Sequence, residues 1–111
     1  MIDIKDSDYK KSIEGKDVML LLWADWCEMC LEVIKYLEEL EAEFKGRLIF
    51  AKVDIEKNPQ TCDRFDLIGV PSAYAIKGGK LVDERAGFRP REQYREMVLA
   101  ICGEGAYNTN T

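Results

Sequence analysis

Two cysteines separated by two residues, Cys27 and Cys30, follow closely behind an apolar run at 18–23. After Cys30 the apolar residues recur at helical spacing. The pattern therefore places a C-x-x-C pair between a buried strand and the first turn of a helix. Unpaired backbone N–H groups and the dipole of that turn favour a negative charge on Cys27. A sulfur anion beside a second thiol is the arrangement that thiol–disulfide exchange requires.

The two cysteines are predicted to differ in role. Cys27 stands at the strand end between polar neighbours, so we expect it to be the exposed nucleophile. Cys30 lies on the apolar face of the helix and is expected to be the buried resolving thiol. The alternatives are a pair of core cysteines or half of a zinc site. A zinc site would need Cys62 and Cys102, which form no second C-x-x-C, so we expect no metal.

The composition describes one acidic domain. The chain has 111 residues, with 16 basic and 21 acidic side chains and a formal charge of −5. It lacks histidine, which excludes Ser-His-Asp triads and Cys-His nucleophile pairs. An acidic chain without a basic cluster is a poor partner for nucleic acid or an anionic membrane. The start lacks a secretory pattern and the apolar runs are too short to span a bilayer, so we expect a cytoplasmic location.

Periodicity and turn residues predict the order β-α-β-α-β-α-β-β-α, an α/β domain over 1–103. Such an order favours a central mixed sheet of about five strands with helices on both faces. Asp6 or Ser7 is expected to cap the first helix. Residues 104–111 are predicted to be a polar, disordered tail. Strands are predicted at 2–4, 18–23, 48–54, 73–77 and 81–85, and helices at 7–14, 30–44, 58–65 and 89–102.

The segment Trp23-Ala24-Asp25-Trp26-Cys27-Glu28-Met29-Cys30 resembles the active-site segment of the thioredoxin family. Further similarities follow in order at 51–54, 58–59 and 69–71 and at Gly87, so the resemblance covers nearly the whole chain. It implies a thioredoxin fold and a redox-active Cys27–Cys30 disulfide without a bound cofactor. In that fold Cys62 and Cys102 lie on opposite faces of the sheet, so we expect both to stay reduced.

The resemblance also implies a substrate-binding surface. Pro71 would follow a cis peptide bond, and Val70 would offer its backbone to an extended substrate chain. Gly87 resembles a glycine in the groove that receives substrate. Trp26 is expected to shield the cysteines and to pack beside bound substrate. Trp23 either belongs to this surface or is a core residue.

Several residues depart from the family pattern. Leu21 stands where the family has a buried aspartate that relays the proton of the buried thiol. Lys52, which pairs with that aspartate in the family, would lack its partner here. Its ammonium group is expected either to reach outward to solvent or to help stabilise the thiolate. Glu28 and Met29 stand where thioredoxins typically have glycine and proline, and a carboxylate at 28 opposes negative charge on the neighbouring sulfur.

The prediction is a monomeric protein-disulfide oxidoreductase that reduces disulfides in extended segments of protein substrates. The opposing effects of Glu28 and the helix start favour a reducing pair. By family resemblance, electrons would come from a flavoprotein thioredoxin reductase. Three alternatives remain open: a non-catalytic interaction module on the same fold, a specialised disulfide oxidase or isomerase, and a metal or cluster carrier.

Overall fold

A computed structural model describes residues 1–103. The tail predicted at 104–111 lies outside this range. The elements follow the predicted order. They are β1 (Ile2–Asp3), α1 (Tyr9–Ile13), β2 (Val18–Trp23), α2 (Glu28–Glu43), β3 (Ile49–Asp54), α3 (Pro59–Asp63), β4 (Ser72–Lys77), β5 (Lys80–Ala86) and α4 (Arg91–Cys102). Compared with the prediction, β1, α1, β3, α3 and α4 are one to three residues shorter, whereas α2, β4 and β5 are one or two residues longer.

The five strands form one mixed sheet in the order β1-β3-β2-β4-β5. Strands β1, β3 and β2 run parallel, whereas β4 pairs antiparallel with both β2 and β5. Gly78 and Gly79 join β4 to β5 with φ angles of +59° and +84°, a conformation that glycine adopts at little cost. The predicted fold class is confirmed, and β2 is the central strand that carries the cysteine pair.

Helices cover both faces of the sheet. One apolar cluster joins Met19 and Leu21 of β2 to α2 and α4, and the other joins Val18, Leu20 and Leu22 to α1 and α3. Each buried leucine of this kind contributes about 2 kcal/mol to the free energy of unfolding. Because β2 is covered on both sides, its end and the start of α2 have little freedom to move.

The first helix does not use the predicted cap. Asp8, not Asp6 or Ser7, precedes α1, and the Asp6 carboxylate instead accepts hydrogen bonds at the start of α3. Its Oδ1 accepts from the backbone N–H and the hydroxyl of Thr61 at 2.8 and 2.7 Å. Desolvation raises the pKa of the Asp6 carboxyl group. The hydrogen bonds from Thr61 and Gln60 lower it by more, so the pKa of Asp6 lies below its usual value. Asp6 therefore links the loop between β1 and α1 to the start of α3, the helix that precedes the Val70–Pro71 loop.

Candidate active site

Cys27 is the N-cap residue of α2. Its backbone is extended, with φ −97° and ψ 104°, and its Sγ accepts a hydrogen bond from the Cys30 backbone N–H at 3.1 Å. Serine, threonine, aspartate and asparagine are preferred at N-cap positions, because a side-chain oxygen there accepts a hydrogen bond from a backbone N–H of the first turn. Here sulfur takes that place, so the positive end of the helix dipole is directed at the Cys27 sulfur.

Cys30 lies in the first turn of α2 and has no exposed surface. It forms a disulfide with Cys27, and the two Cα atoms are 5.2 Å apart. The predicted place of Cys30 on the apolar face of the helix is confirmed. The spacing of three residues on a helix start brings the second sulfur within bonding reach of the first.

Cys27 is less exposed than predicted. Only 8% of its surface is accessible in the disulfide form, because Trp23, Ile55 and Val70 pack against the cluster that both cysteines form with Ala24. The sequence prediction of an exposed strand end was wrong in this respect. It treated the strand end as an open edge and missed the loops that cover it from either side.

Ile55 is a residue of the site that the sequence analysis missed. It follows β3 directly, and its N–H donates to the Trp23 carbonyl at 2.9 Å. Because β2 and β3 are parallel and in register, the residue after Asp54 must lie beside the end of β2. The register of the two strands was therefore the signal that would have found Ile55.

The loop before β4 faces the cysteine pair. The peptide bond between Val70 and Pro71 is cis, as the resemblance implied. The Pro71 carbonyl accepts a hydrogen bond from the Gly87 N–H at 2.8 Å, and the Ser72 hydroxyl donates to the Gly69 carbonyl at 2.7 Å. The structure thus brings Gly87 beside the Val70–Pro71 peptide, although Gly87 lies 16 positions after Pro71 in the sequence.

The two tryptophans of the segment differ in environment. Trp26 is 62% exposed, and its indole N–H donates to the carboxylate of Glu56 at 2.8 Å. Trp23 is half-buried and packs against the cysteines and against the main core. Its indole N–H is buried without a hydrogen-bond partner among the described residues. Glu56, which the sequence analysis did not single out, fixes the orientation of the exposed ring.

Lys52 has a carboxylate partner after all. Its Nζ forms an ion pair with Asp3, which lies opposite Lys52 across the β1–β3 ladder. The same Nζ lies 5.2 Å from the centre of the Trp23 ring. The aspartate that pairs with this lysine in the family is absent, as expected, and a different carboxylate, 49 residues away in sequence, takes its place. Of the two predicted outcomes, the ammonium group reaches outward, to the edge strand of the sheet. The side chains of Asp3, Trp23 and Lys52 line a cleft of about 620 Å³, to which Asp25 also contributes.

Leu21 occupies the position beside Lys52 in the β2–β3 register and is completely buried. Its neighbours belong to the core between the sheet and helices α2 and α4. The region beneath the cysteines is therefore apolar at this position. A carboxylate there would be desolvated, and the nearest lysine is already engaged with Asp3.

The remaining cysteines are both free, as predicted. Cys62 packs in the core on the α1 and α3 side and Cys102 in the core on the opposite side. Burial, with nearby carboxylates such as Asp6, raises the pKa of the Cys62 thiol. Burial also raises the pKa of Cys102, although the Arg47 charge opposes this effect.

Residues 1–103 contain no group of three or more Cys, Asp or Glu side chains placed to hold a metal ion. Within the same range, no helix is long and apolar enough to cross a bilayer.

The fold and the dithiol at the start of α2 define a class of proteins that exchange thiols and disulfides. The family model for thioredoxin matches residues 1–100 of the chain. Thioredoxins of several Staphylococcus aureus strains, among them Mu50, MW2 and COL, are 30% identical over 98 residues. The match spans 88% of this chain and 94% of each relative.

The chain belongs to the thioredoxin family, and it is a thiol–disulfide oxidoreductase.

The apolar position beneath the site leads to a stability prediction. Leu21→Asp should lower the free energy of unfolding by about 3 kcal/mol or more at pH 7, because it buries an unpaired carboxylate. The loss should shrink as the pH falls toward 4, because burial raises the pKa of this carboxyl group and the folded state takes up a proton before the unfolded state does. Urea unfolding between pH 4 and 8 measures both effects.

Leu21→Asn is the matched control, since it has nearly the same shape as the aspartate variant and no charge. Its destabilisation should not vary with pH across this range. Parallel pH profiles for the two variants would contradict the conclusion that position 21 is closed to solvent and has no available counter-ion.

Proposed function

We propose that this protein reduces disulfides in protein substrates, with Cys27 as the nucleophile and Cys30 as the resolving thiol. The observation that carries the proposal is the hydrogen bond from the Cys30 N–H to Cys27 Sγ at the positive end of α2. A helix start that binds sulfur in this way stabilises the thiolate, which is the reactive form.

The reaction proceeds in two exchange steps. The Cys27 thiolate attacks one sulfur of the substrate disulfide, forming a mixed disulfide while the second substrate sulfur leaves as a thiolate. Cys30 then loses its proton and attacks Cys27, which releases the first substrate sulfur. The substrate gains two electrons and, after protonation, two protons. The chain is left with the Cys27–Cys30 disulfide present in the structure.

The substrate surface consists of Trp26, Val70, Pro71 and Gly87. The Val70 backbone lies beside the cysteines, where an extended chain can pair with it as with a sheet edge. The exposed Trp26 ring offers an apolar face whose orientation Glu56 fixes. Glu28 and Met29 flank the nucleophile and are both exposed, so they also meet the substrate.

The cycle requires no bound cofactor, because the disulfide itself holds the electron pair. It requires an external reductant, for which we propose a flavoprotein thioredoxin reductase. A reducing cytoplasmic compartment suits this direction of electron flow. A monomer is sufficient, since every residue of the mechanism belongs to one chain.

The direction of exchange is tested by the reduction potential. We expect about −270 mV, which is the known potential of thioredoxin and is typical of a reductant. Glu28→Gln should raise the potential by about 15 mV, because a carboxylate about 6 Å from the sulfur destabilises the thiolate by roughly 0.7 kcal/mol. Equilibration with glutathione or dithiothreitol buffers measures both. A wild-type potential of about −120 mV would indicate an oxidase instead.

The roles of the two cysteines are tested by substitution. Cys27→Ser should abolish insulin reduction driven by dithiothreitol, because no nucleophile remains. Cys30→Ser should accumulate a covalent mixed disulfide with insulin, detected by mass spectrometry, because the second exchange cannot occur. Cys62→Ser serves as control and should retain wild-type turnover. Loss of activity in both active-site variants without any trapped complex would contradict the assignment.

A further inference from the structure

The end of the molecule that holds the cysteines exposes several large apolar side chains. Ile68 is 93% exposed, Trp26 62%, Met29 55% and Phe88 39%. Isolated exposed apolar residues are common and need no explanation, but several around one reactive group mark a surface that another chain covers. Ile68 is the most exposed large apolar residue of the described chain, and its surface is almost entirely free to be covered.

Ile68 belongs to the loop that contacts the cysteine pair through Val70. It lies two residues before Val70, which packs against the cysteine cluster. The loop is shaped by the hydrogen bond from the Ser72 hydroxyl to the Gly69 carbonyl and by the positive φ of Asp66, +50°. Because two residues span at most about 7 Å of extended chain, a substrate segment that pairs with the Val70 backbone comes within reach of Ile68.

The same surroundings are negatively charged. Asp25 and Glu28 adjoin Cys27, Glu56 binds the Trp26 indole, and Asp66 precedes Ile68 in the loop. The basic side chains nearby are fewer: Lys52 is paired with the Asp3 carboxylate, whereas Arg89 donates to the neutral Ala86 carbonyl and keeps its positive charge. In the segments 25–32, 52–57, 64–71 and 87–89, the acidic residues are Asp25, Glu28, Glu32, Asp54, Glu56 and Asp66, against the basic residues Lys52, Lys57, Arg64 and Arg89. Of these, Arg64 lies over the Tyr9 ring.

We propose that Ile68 is a specificity-determining residue, and that the preferred substrates are disulfides in segments carrying an apolar side chain beside Ile68 together with lysine or arginine. This inference rests on the proposed function and names the substrate class of the same site. The apolar contact selects the neighbour of the substrate cysteine, since burying a side chain of this size favours binding substantially. The acidic side chains around the site favour segments with positive charge and increase the rate at which such segments associate.

Four disulfide-linked peptides test the proposal. They share one scaffold and differ at two positions flanking the cysteine, one being leucine or serine and the other lysine or glutamate. We expect kcat/KM to be about tenfold higher with leucine than with serine, mainly through KM. Lysine should be favoured over glutamate by about threefold at low salt, and this ratio should approach one at about 0.5 M NaCl.

Two variants with matched controls assign these preferences to residues. Ile68→Ser should remove the preference for leucine, whereas Leu81→Ser, at a half-exposed leucine on β5, should keep it. The double variant Glu32→Gln/Asp66→Asn should weaken the preference for lysine. The control Glu38→Gln/Glu84→Gln loses the same charge from other positions and should leave it unchanged. Bis(2-hydroxyethyl) disulfide carries neither an apolar side chain nor a charge. It should react equally with the wild type and the two controls, and its rate with each test variant normalises the peptide rates of that variant for the reactivity of Cys27.

Equal kcat/KM for the four peptides, or preferences that the controls alter as much as the test variants do, would overturn the inference while leaving the proposed function intact. Failure to reduce any peptide or the small disulfide faster than buffer would instead reject the proposed function. The two failures are therefore distinguishable in one set of measurements.

Discussion

The hydrogen bond from the Cys30 N–H to Cys27 Sγ is the interaction on which the site depends. It requires that the chain leave β2 and enter α2 within a few residues, with Cys27 extended and Cys30 already helical. The rest of the fold maintains this turn. Val33 and Leu37 anchor α2 to the sheet, while β2 is fixed by a parallel strand on one side and an antiparallel strand on the other.

The side chains around the cysteines place little positive charge near the Cys27 sulfur. Leu21 makes the position beneath the site apolar, and the Lys52 charge is drawn to Asp3 at the sheet edge. Glu28 adds a negative charge next to the nucleophile. Since none of these groups supplies a strong positive potential at the sulfur, the proposed Cys27 thiolate would depend mainly on the backbone N–H groups at the start of α2.

The sequence predicted features that depend on a short segment of chain, and it did not predict contacts between residues far apart in the chain. The apolar run of β2, the helical spacing after Cys30 and the Gly78-Gly79 turn are properties of short segments, and all three are confirmed. The Lys52–Asp3 and Asp6–Thr61 contacts join residues 49 and 55 positions apart, so no local pattern indicated them.

The exposure of individual site residues also could not be predicted from the sequence. Cys27 was expected to be open, yet it is covered because the Val70 loop and Ile55 converge on it from separate parts of the chain. In sequence, Ile68 is like any apolar residue of a short loop, and only its position in three dimensions reveals that it is exposed beside the site. Resemblance placed the cysteines and Pro71 correctly, but it carries no information on such chain-specific surfaces.

The central claim is that the start of α2 makes Cys27 a reactive thiolate, and site-resolved alkylation of the reduced protein tests it most directly. Cys62 and Cys102 serve as internal references, because burial raises the pKa of both thiols. With iodoacetamide at pH 7 and quantification of each cysteine by mass spectrometry, Cys27 should react at least about tenfold faster than either reference. A rate for Cys27 equal to or below theirs would contradict the account.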